Sequence, residues 1–392
     1  MKINSLKKLK NLDGKIVFLR VDFNVPLKNG KIEEDYKIHA GLETIEFLLA
    51  RGARLIIATH LGEPSGREAG YSVKPIAVRL KTLLRRPVKF LADPLASPKI
   101  TAAVQALRPG EIIFLENLRF NKGEYSDDDK FAARLASFAD IYVNDAFAVS
   151  HRAQASVGKI KKYLPSYAGL LLEKELNACA RILKPKKPLV IVMGGAKIET
   201  KAPLIAKLAP SAQRILIGGA LSDNFFKFQG LEIGRSLFDK GSAVFVKKFF
   251  KGKKLNSKII LPLDVVVKSK SGEARVVSPG GVKSSDTILD IGPATIAAYA
   301  VEIKAAQTLV WNGPLGKFEE SRFKYGTMAI ASLIAARSSG LAYGLVGGGE
   351  TIEALKLTNM SEYVDWISTA GGAMLTYLGG GKMPGLKGIV KN

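Results

Sequence analysis

The chain has 392 residues, 47% of them hydrophobic and 38 of them glycine, a size and composition suited to about two globular domains. No apolar stretch approaches the roughly 18 uninterrupted residues of a membrane span, and the single cysteine, Cys179, excludes an intramolecular disulfide and points to a reducing compartment, the cytoplasm. A net charge of +24, gathered at Lys7, Lys8 and Lys10, at Lys184, Lys186 and Lys187, and at Lys247, Lys248, Lys251, Lys253 and Lys254, offers nucleic acid or a membrane surface as partners. No aromatic stacking platform interleaves these lysines; Phe245, Phe249 and Phe250 stand at core spacing. The clusters are therefore read as solvated faces that also attract anionic substrates.

Taken in chain order, the basic segment Met1 to Lys15 lacks the apolar region of a secretory signal, and none is expected. Short β-branched runs then predict strands at Ile16–Val21, Leu55–Thr59, Ile112–Leu115 and Ile141–Asn144, with helical spacing at Leu42–Ala50 and Asp128–Phe138. Leu170–Leu183 reads as one long helix, and Pro185 and Pro188 end it. Further strands are predicted at Leu189–Met193, Arg214–Ile217, Ile259–Leu261, Thr308–Trp311, Tyr343–Val346 and Trp366–Ser368. Continuous apolar strands alternating with helices imply an α/β chain whose parallel sheets are covered on both faces. A boundary around Tyr163–Leu189 would leave two α/β halves with a ligand cleft between them.

In parallel sheets ligands bind beyond the carboxyl ends of the strands. In the first half those ends read Asp22-Phe23-Asn24, His60-Leu61-Gly62, Glu116-Asn117-Leu118-Arg119 and Asn144-Asp145-Ala146-Phe147, followed by His151-Arg152. Each acid or amide alone is a common turn former or cap. Repeated along one sheet edge, with cations among them, they suit a small anionic ligand.

The second half places glycines at the same positions: Gly194-Gly195-Ala196-Lys197, Gly218-Gly219-Ala220, Asp290-Ile291-Gly292-Pro293, Asn312-Gly313-Pro314-Leu315-Gly316, Gly347-Gly348-Gly349-Glu350-Thr351 and Gly371-Gly372-Ala373. Glycine permits close backbone approach, and the following helix offers free N–H groups to phosphate. Lys201, four residues beyond Lys197, would put a second charge on the same helix face. Neither the G-x-x-x-x-G-K-[ST] loop, nor a dinucleotide fingerprint after the first strand of either half, nor the protein-kinase set occurs. The missing fingerprint also speaks against a Rossmann dehydrogenase.

Together, Arg20-Val21-Asp22-Phe23-Asn24-Val25-Pro26, Leu115-Glu116-Asn117-Leu118-Arg119-Phe120, Val143-Asn144-Asp145-Ala146-Phe147, His151-Arg152-Ala153, Gly194-Gly195-Ala196-Lys197, Trp311-Asn312-Gly313-Pro314 and Gly347-Gly348-Gly349 resemble the phosphoglycerate kinase family over nearly the whole chain. The resemblance implies two Rossmann-like domains with parallel sheets joined by a hinge helix: a 3-phosphoglycerate domain over 1–168, with 379–392 packing back on it, a hinge and linker over 169–188, and a nucleotide domain over 189–378. It implies reversible phosphoryl transfer from 1,3-bisphosphoglycerate to ADP in glycolysis, with Mg²⁺ carried on ATP or ADP, hinge closure gating turnover, and a cytoplasmic monomer that needs neither membrane nor nucleic acid. Asp22 and Asn24 would orient the substrate, while His60, Arg119 and Arg152 would hold its phosphate, with Phe23, Leu61, Gly62 and Glu63 alongside. Lys37, Arg152, Lys197 and Gly371 would serve the transfer. Gly195, Ala196, Lys197, Lys201, Gly219, Gly292, Asn312, Pro314, Gly348, Gly349 and Thr351 would surround the nucleotide. Glu319 would take the ribose, and Glu350 would face the magnesium.

The family pattern breaks at named positions. Lys37 stands where the family has an arginine, which keeps the charge but loses the planar fork. Glu63 stands where the family reads His-Leu-Gly-Arg-Pro, reversing a sign beside the anion site, which should weaken substrate binding unless Arg67 or a neighbour compensates. Glu350 replaces an aspartate, Ala220 and Ala370 replace glycines, Ala294 a lysine and Thr200 an aspartate. His39 is read as a surface or packing histidine. The alternative is a weakened or repurposed paralogue that binds nucleotide or nucleic acid, which salt-dependent binding to arbitrary DNA or RNA would favour.

Overall fold

The computed structural model describes residues 2–239, 241–251 and 253–391, with residues 248–251, 253 and 254 described by their backbone alone. The side chains of Lys248, Lys251, Lys253, Lys254, Phe249 and Phe250 thus lie outside the described part. Lys7, Lys8, Lys10, Lys184, Lys186, Lys187 and Lys247 are exposed. The chain divides into two compact units, Met1–Asn177 with Lys382–Asn392, and Ala178–Gly381.

The first unit is built on six parallel strands: β1 (Ile16–Val21), β2 (Arg54–Ala58), β3 (Lys89–Leu91), β4 (Ile112–Leu115), β5 (Ile141–Asp145) and β6 (Ser166–Ala168). Their order across the sheet is β3-β4-β2-β1-β5-β6. Parallel neighbours require crossovers, and helix α1 (Tyr36–Leu49) supplies the first, turning Ile38, Gly41, Thr44, Ile45 and Leu48 inward at helical spacing. The edge strands β3 and β6 have three residues each and a mixed apolar pattern, so the sequence analysis passes over them.

Helix α2 (Leu170–Leu183) starts on the first unit, where Leu170 N–H donates to Thr44 Oγ1 (3.0 Å) and Leu172 N–H to Asp145 Oδ1 (3.0 Å). The division between the units falls inside this helix. The last residues return to the first unit: Asn144 Nδ2 donates to Gly385 O (3.1 Å), Gly385 N–H to Ser150 O (2.8 Å) and Lys161 Nζ to Pro384 O (2.6 Å). Residues 379–381 stay with the second unit, because Gly379 packs on Pro203 and Leu204. Asn144 and Asp145, read from sequence as part of a ligand-binding edge, thus serve the tail and the start of α2.

The second unit holds a parallel sheet of β7 (Leu189–Met193), β8 (Ala212–Ile217), β9 (Ile259–Ile260), β13 (Thr308–Asn312), β14 (Tyr343–Gly347) and β15 (Trp366–Ser368), in the order β9-β8-β7-β13-β14-β15. Beside it lies an antiparallel sheet of β10 (Val265–Lys268), β11 (Ala274–Val277) and β12 (Thr287–Ile291). Along β10 buried residues alternate with partly exposed ones, and along β11 partly exposed with exposed ones, a half-solvated pattern unlike the continuous runs that signal the large sheets. Five helices bear on the site: α3 (Ala202–Leu208), α4 (Ala220–Phe228), α5 (Pro293–Ala305), α6 (Gly349–Leu357) and α7 (Gly371–Leu378).

Candidate active site

At the carboxyl end of β1, Lys37 Nζ from the first turn of α1 lies 2.8 Å from Asp22 Oδ2. Burial pushes the Asp22 carboxyl up, but Lys37, followed by His60 and Arg20, outweighs it and brings the group to about 2. His60, at the end of β2, places Nδ1 3.3 Å from Arg20 Nη2 and 3.8 Å from Asp22 Oδ1. Burial, joined by Arg20, Arg119 and Lys37 against the pull of Asp22, holds His60 well below the usual imidazole range. It is neutral there, and can offer a ligand a hydrogen bond but no charge.

Arg119 sits in the short turn after β4, whose first residue is capped by Asn117: Arg119 N–H donates to Asn117 Oδ1 (3.0 Å). Asn117 Nδ2 also donates to Leu61 O (2.8 Å) and Tyr71 O (2.9 Å), tying the ends of β2 and β4 together. The Arg119 guanidinium is buried and donates through Nη1 to Gly62 O (2.6 Å). Among the described residues, its Nε and Nη2 are buried without a hydrogen-bond partner. Such donors are costly to leave unpaired, and they form a fork shaped for an oxyanion. Asn24 Oδ1 accepts from Gly62 N–H (3.0 Å). Gly62 has φ of +58°, and a Cβ there would lie 2.3 Å from the Tyr71 ring, so only glycine fits. Phe23 and Leu61 bury their side chains in the hydrophobic core, leaving only backbone for a ligand.

Glu63 Oε1 lies 2.9 Å from Arg152 Nη1 and 3.6 Å from Arg119 Nη1. The hydrogen bond from Arg152, its charge and that of Arg119 hold the Glu63 carboxyl below its ordinary value. Arg67 does not compensate: it donates to Ala92 O (2.5 Å) and stands over the Phe120 ring. The cations that meet Glu63 are Arg152 and Arg119.

In the second unit, the chain runs outward one way from β7 and the other way from β13, so their adjacent carboxyl ends form the topological switch point. Gly194 N–H donates to Asn312 O (3.0 Å). Gly313 has φ of +90°, and a Cβ there would lie 2.3 Å from Gly194 O, so two glycine turns interlock backbone to backbone. Beside them opens a cavity of about 260 Å³, bounded by Gly195, Ala196, Gly219, Pro314, Glu319 and Glu350 together with apolar side chains from β12 and Leu315. Among the described residues, helices α4, α6 and α7 start without a side-chain cap after Gly219, Gly348 and Ala370. In α4, Leu221 N–H already donates to Gly195 O (2.7 Å) and Ser222 N–H to Gly219 O (2.9 Å), so the first-turn N–H groups left for phosphate are mainly those of α6 and α7. Gly371 itself opens α7 with φ of +30°.

Three positions differ from the sequence expectation. Gly292 is packed on Asp264, whose carboxylate accepts from Ala294 N–H (3.0 Å) and Thr295 N–H (2.8 Å); the start of α5 already holds its anion. Lys197 and Lys201 are not on a helix face, because α3 begins only at Ala202, with proline in its first turn. Lys197 is exposed, while Lys201 is buried with Nζ 3.4 Å from Lys197 O, and burial, then Lys197, lower its pKa against the pull of Glu350. Asn312 and Thr351 brace the turns: Asn312 Nδ2 donates to Gly347 O (2.6 Å), and Thr351 Oγ1 accepts from Gly313 N–H (2.7 Å).

A family model described as phosphoglycerate kinase matches residues 6–381. The chain is 40% identical to the phosphoglycerate kinase of Desulfosudis oleivorans and 40% identical to that of Moorella thermoacetica, each match covering 99% of both chains. Among solved structures, phosphoglycerate kinase from Coxiella burnetii superposes with a TM-score of 0.85 at 38% identity over 98% of each chain. The enzyme from Pyrococcus horikoshii gives 0.82 at 30% identity, over 98% of this chain and 97% of that one. The chain belongs to the phosphoglycerate kinase family.

As a member of the phosphoglycerate kinase family the chain is a kinase, a phosphotransferase, on a two-domain α/β fold. The sequence analysis names strand ends but misses what supports them. Arg20, fully buried within β1, donates through Nε to Ser156 Oγ (2.9 Å) and lies 3.9 Å from the equally buried Glu124. Glu124 in turn accepts from Ser156 N–H (2.9 Å) and Oγ (2.6 Å). The available signal was an arginine inside an otherwise apolar strand run, since a charge so placed needs a buried partner. Removing one member leaves the other uncompensated, so Glu124→Ala should lower the unfolding free energy of this phosphoglycerate kinase by about 3–5 kcal/mol. Urea denaturation of the full chain measures it; a loss within 1 kcal/mol would remove this pair from the account of how His60 is held.

Proposed function

We propose that the chain transfers the acyl phosphate of 1,3-bisphosphoglycerate to ADP, and in reverse the terminal phosphate of ATP to the carboxylate of 3-phosphoglycerate. The observation that carries this reading is Arg119, a buried guanidinium with two unpartnered N–H groups beside Arg152, His60 and the Asp22–Lys37 pair. Arg119 and Arg152 would fork the substrate's non-transferring phosphate, and Asp22 and Asn24 would orient its carboxyl and hydroxyl end. Lys37 would neutralise the transferring phosphoryl oxygens. The uncapped starts of α6 and α7 would hold the nucleotide phosphates, with Glu319 on the ribose. In the forward direction the bond from phosphorus to the acyl oxygen breaks, that to the β-phosphate oxygen of ADP forms, and the carboxylate leaves as an anion. The protein's contribution is positioning, charge neutralisation and exclusion of water.

Magnesium belongs to the nucleotide substrate in this reading. Glu350 is one exposed carboxylate at the cavity, and no group of three or more acidic, histidine or cysteine ligands occurs among the described residues. One carboxylate plus phosphates is the donor set Mg²⁺ accepts. A cytoplasmic monomer accords with a sole, buried cysteine and a small-molecule reaction.

The test is steady-state turnover of 3-phosphoglycerate with Mg-ATP, coupled to reduction of the acyl phosphate product. Saturable turnover is expected. Glu63→Gln should lower the KM for 3-phosphoglycerate about tenfold, since it frees two arginines from a competing carboxylate, with the KM for ATP unmoved. The seat of Glu63 on Arg152 also favours a second reading, a kinase with weakened substrate binding. No turnover by the parent, with activity regained in Glu63→Arg and Lys37→Arg, would select it.

A further inference from the structure

The cavity of the second unit is lined by polar side chains that nothing above uses, among them Thr287, Asp290, Lys317 and Asp223. Asp223, in the first turn of α4, is 1% exposed and lines the cavity between the glycine turns and the apolar wall. Among the described residues, neither of its carboxyl oxygens has a hydrogen-bond donor. Its neighbours are already engaged: Ser222 Oγ donates to Gly219 O (2.7 Å), and Asn224 donates to Ala220 O (3.0 Å) while accepting from Asp239 N–H (3.1 Å). A buried carboxyl without a partner costs stability, and an apolar side chain of similar size would fill the place without that cost. An unsatisfied buried polar group at a ligand cavity therefore calls for a role in binding.

The cavity defines what that role can be. Leu237, Ile288, Leu289 and Leu315 supply apolar surface suited to the faces of a planar ring. The same ring carries hydrogen-bonding atoms on its edge, which these leucine and isoleucine side chains cannot pair. We propose that Asp223 is the base-reading residue of this kinase, its carboxyl pairing with the polar edge of the nucleotide's purine. The proposal rests on the reading of this cavity as the nucleotide site. Burial holds the carboxyl well above the ordinary carboxylate range, the direction that favours the protonated form, with an O–H beside a C=O. That pattern complements adenine, where an exocyclic N–H donor adjoins a ring-nitrogen acceptor. The carboxyl oxygens are shielded within the cavity wall, so pairing requires the side chain to turn out of the wall as the base enters. No covalent step is involved.

The experiment compares Mg-ADP with inorganic tripolyphosphate, which has no base, by calorimetry on the full chain and two variants. Asp223→Leu should weaken Mg-ADP binding about tenfold, the scale of one net hydrogen bond, leave tripolyphosphate binding within twofold, and raise the urea midpoint. Asp223→Asn, which keeps a donor beside an acceptor, should bind Mg-ADP within about threefold of the parent. Stability rising while base-dependent affinity falls is not expected of a residue that only fills space. Unchanged Mg-ADP affinity in Asp223→Leu, or equal weakening of both ligands, overturns the role of Asp223. A parent chain that binds tripolyphosphate but not Mg-ADP overturns the nucleotide reading beneath it, and a distinct result separates the two failures.

Discussion

Lys37→Ala is expected to lower kcat by about 10²–10³, with a smaller change in the KM for 3-phosphoglycerate. Removing one preorganised donor from a developing oxyanion costs on this scale, and a full arginine finger is worth about 10³–10⁵. Lys37 has a compact ammonium rather than a planar fork, so Lys37→Arg should raise kcat above the parent. The same substitution tests the pairing with Asp22. With Lys37 present the Asp22 carboxyl is held at about 2 against a reference of 3.8. A depressed carboxyl stabilises the fold above the unfolded-state value, and that contribution is lost as pH falls from there through about 2. Without Lys37, burial is opposed only by His60 and Arg20, the folded-state value rises, and acid unfolding should begin at higher pH. Steady-state rates and an acid titration by circular dichroism measure both effects. A kcat within threefold of the parent would remove Lys37 from the transfer step.

Arg119→Ala should reduce kcat/KM for 3-phosphoglycerate by about 10²–10³, mainly through KM, because truncating one partner of a buried charge contact costs about 2–5 kcal/mol. Arg119→Lys should recover part of this, since the charge survives while the second N–H of the fork is lost. Burial first, then Arg152, lower the pKa of Arg119, yet a guanidinium remains charged, so the loss should not vary with pH near neutrality. The control is the other ligand: Mg-ADP affinity should be unchanged, because no cavity residue of the second unit is altered. Equal weakening of both ligands would mean that Arg119 supports the fold and not the substrate.

Much of this site is legible in the sequence, for one physical reason. In a parallel sheet every strand points the same way, so residues following successive apolar runs collect along one edge. Asp22, His60 and Arg119 follow β1, β2 and β4, and the glycine turns follow β7, β13 and β14, so spacing alone brings them together. The long helix Leu170–Leu183 is equally plain, because its apolar stripe and terminal prolines are local signals.

Partnerships through space are not local, and the tertiary structure alone decides them. Glu63 is a charge reversal in sequence; its seat on Arg152, 89 positions away, makes it a competitor for the anion site. Gly292 precedes a helix in sequence; Asp264, 30 positions before Ala294, already fills that helix's start. Lys201 is not the helix-face charge its spacing suggested, because α3 begins only at Ala202, and the folded chain buries it. Asp223 is an acid in an amphipathic stretch until folding removes every donor from its reach. Sequence determined which chemistries line each sheet edge, through strand polarity and local propensity. Only the packed chain decided which of those groups are already satisfied and which remain for a ligand, because desolvation and hydrogen-bond geometry act between residues that sequence keeps apart.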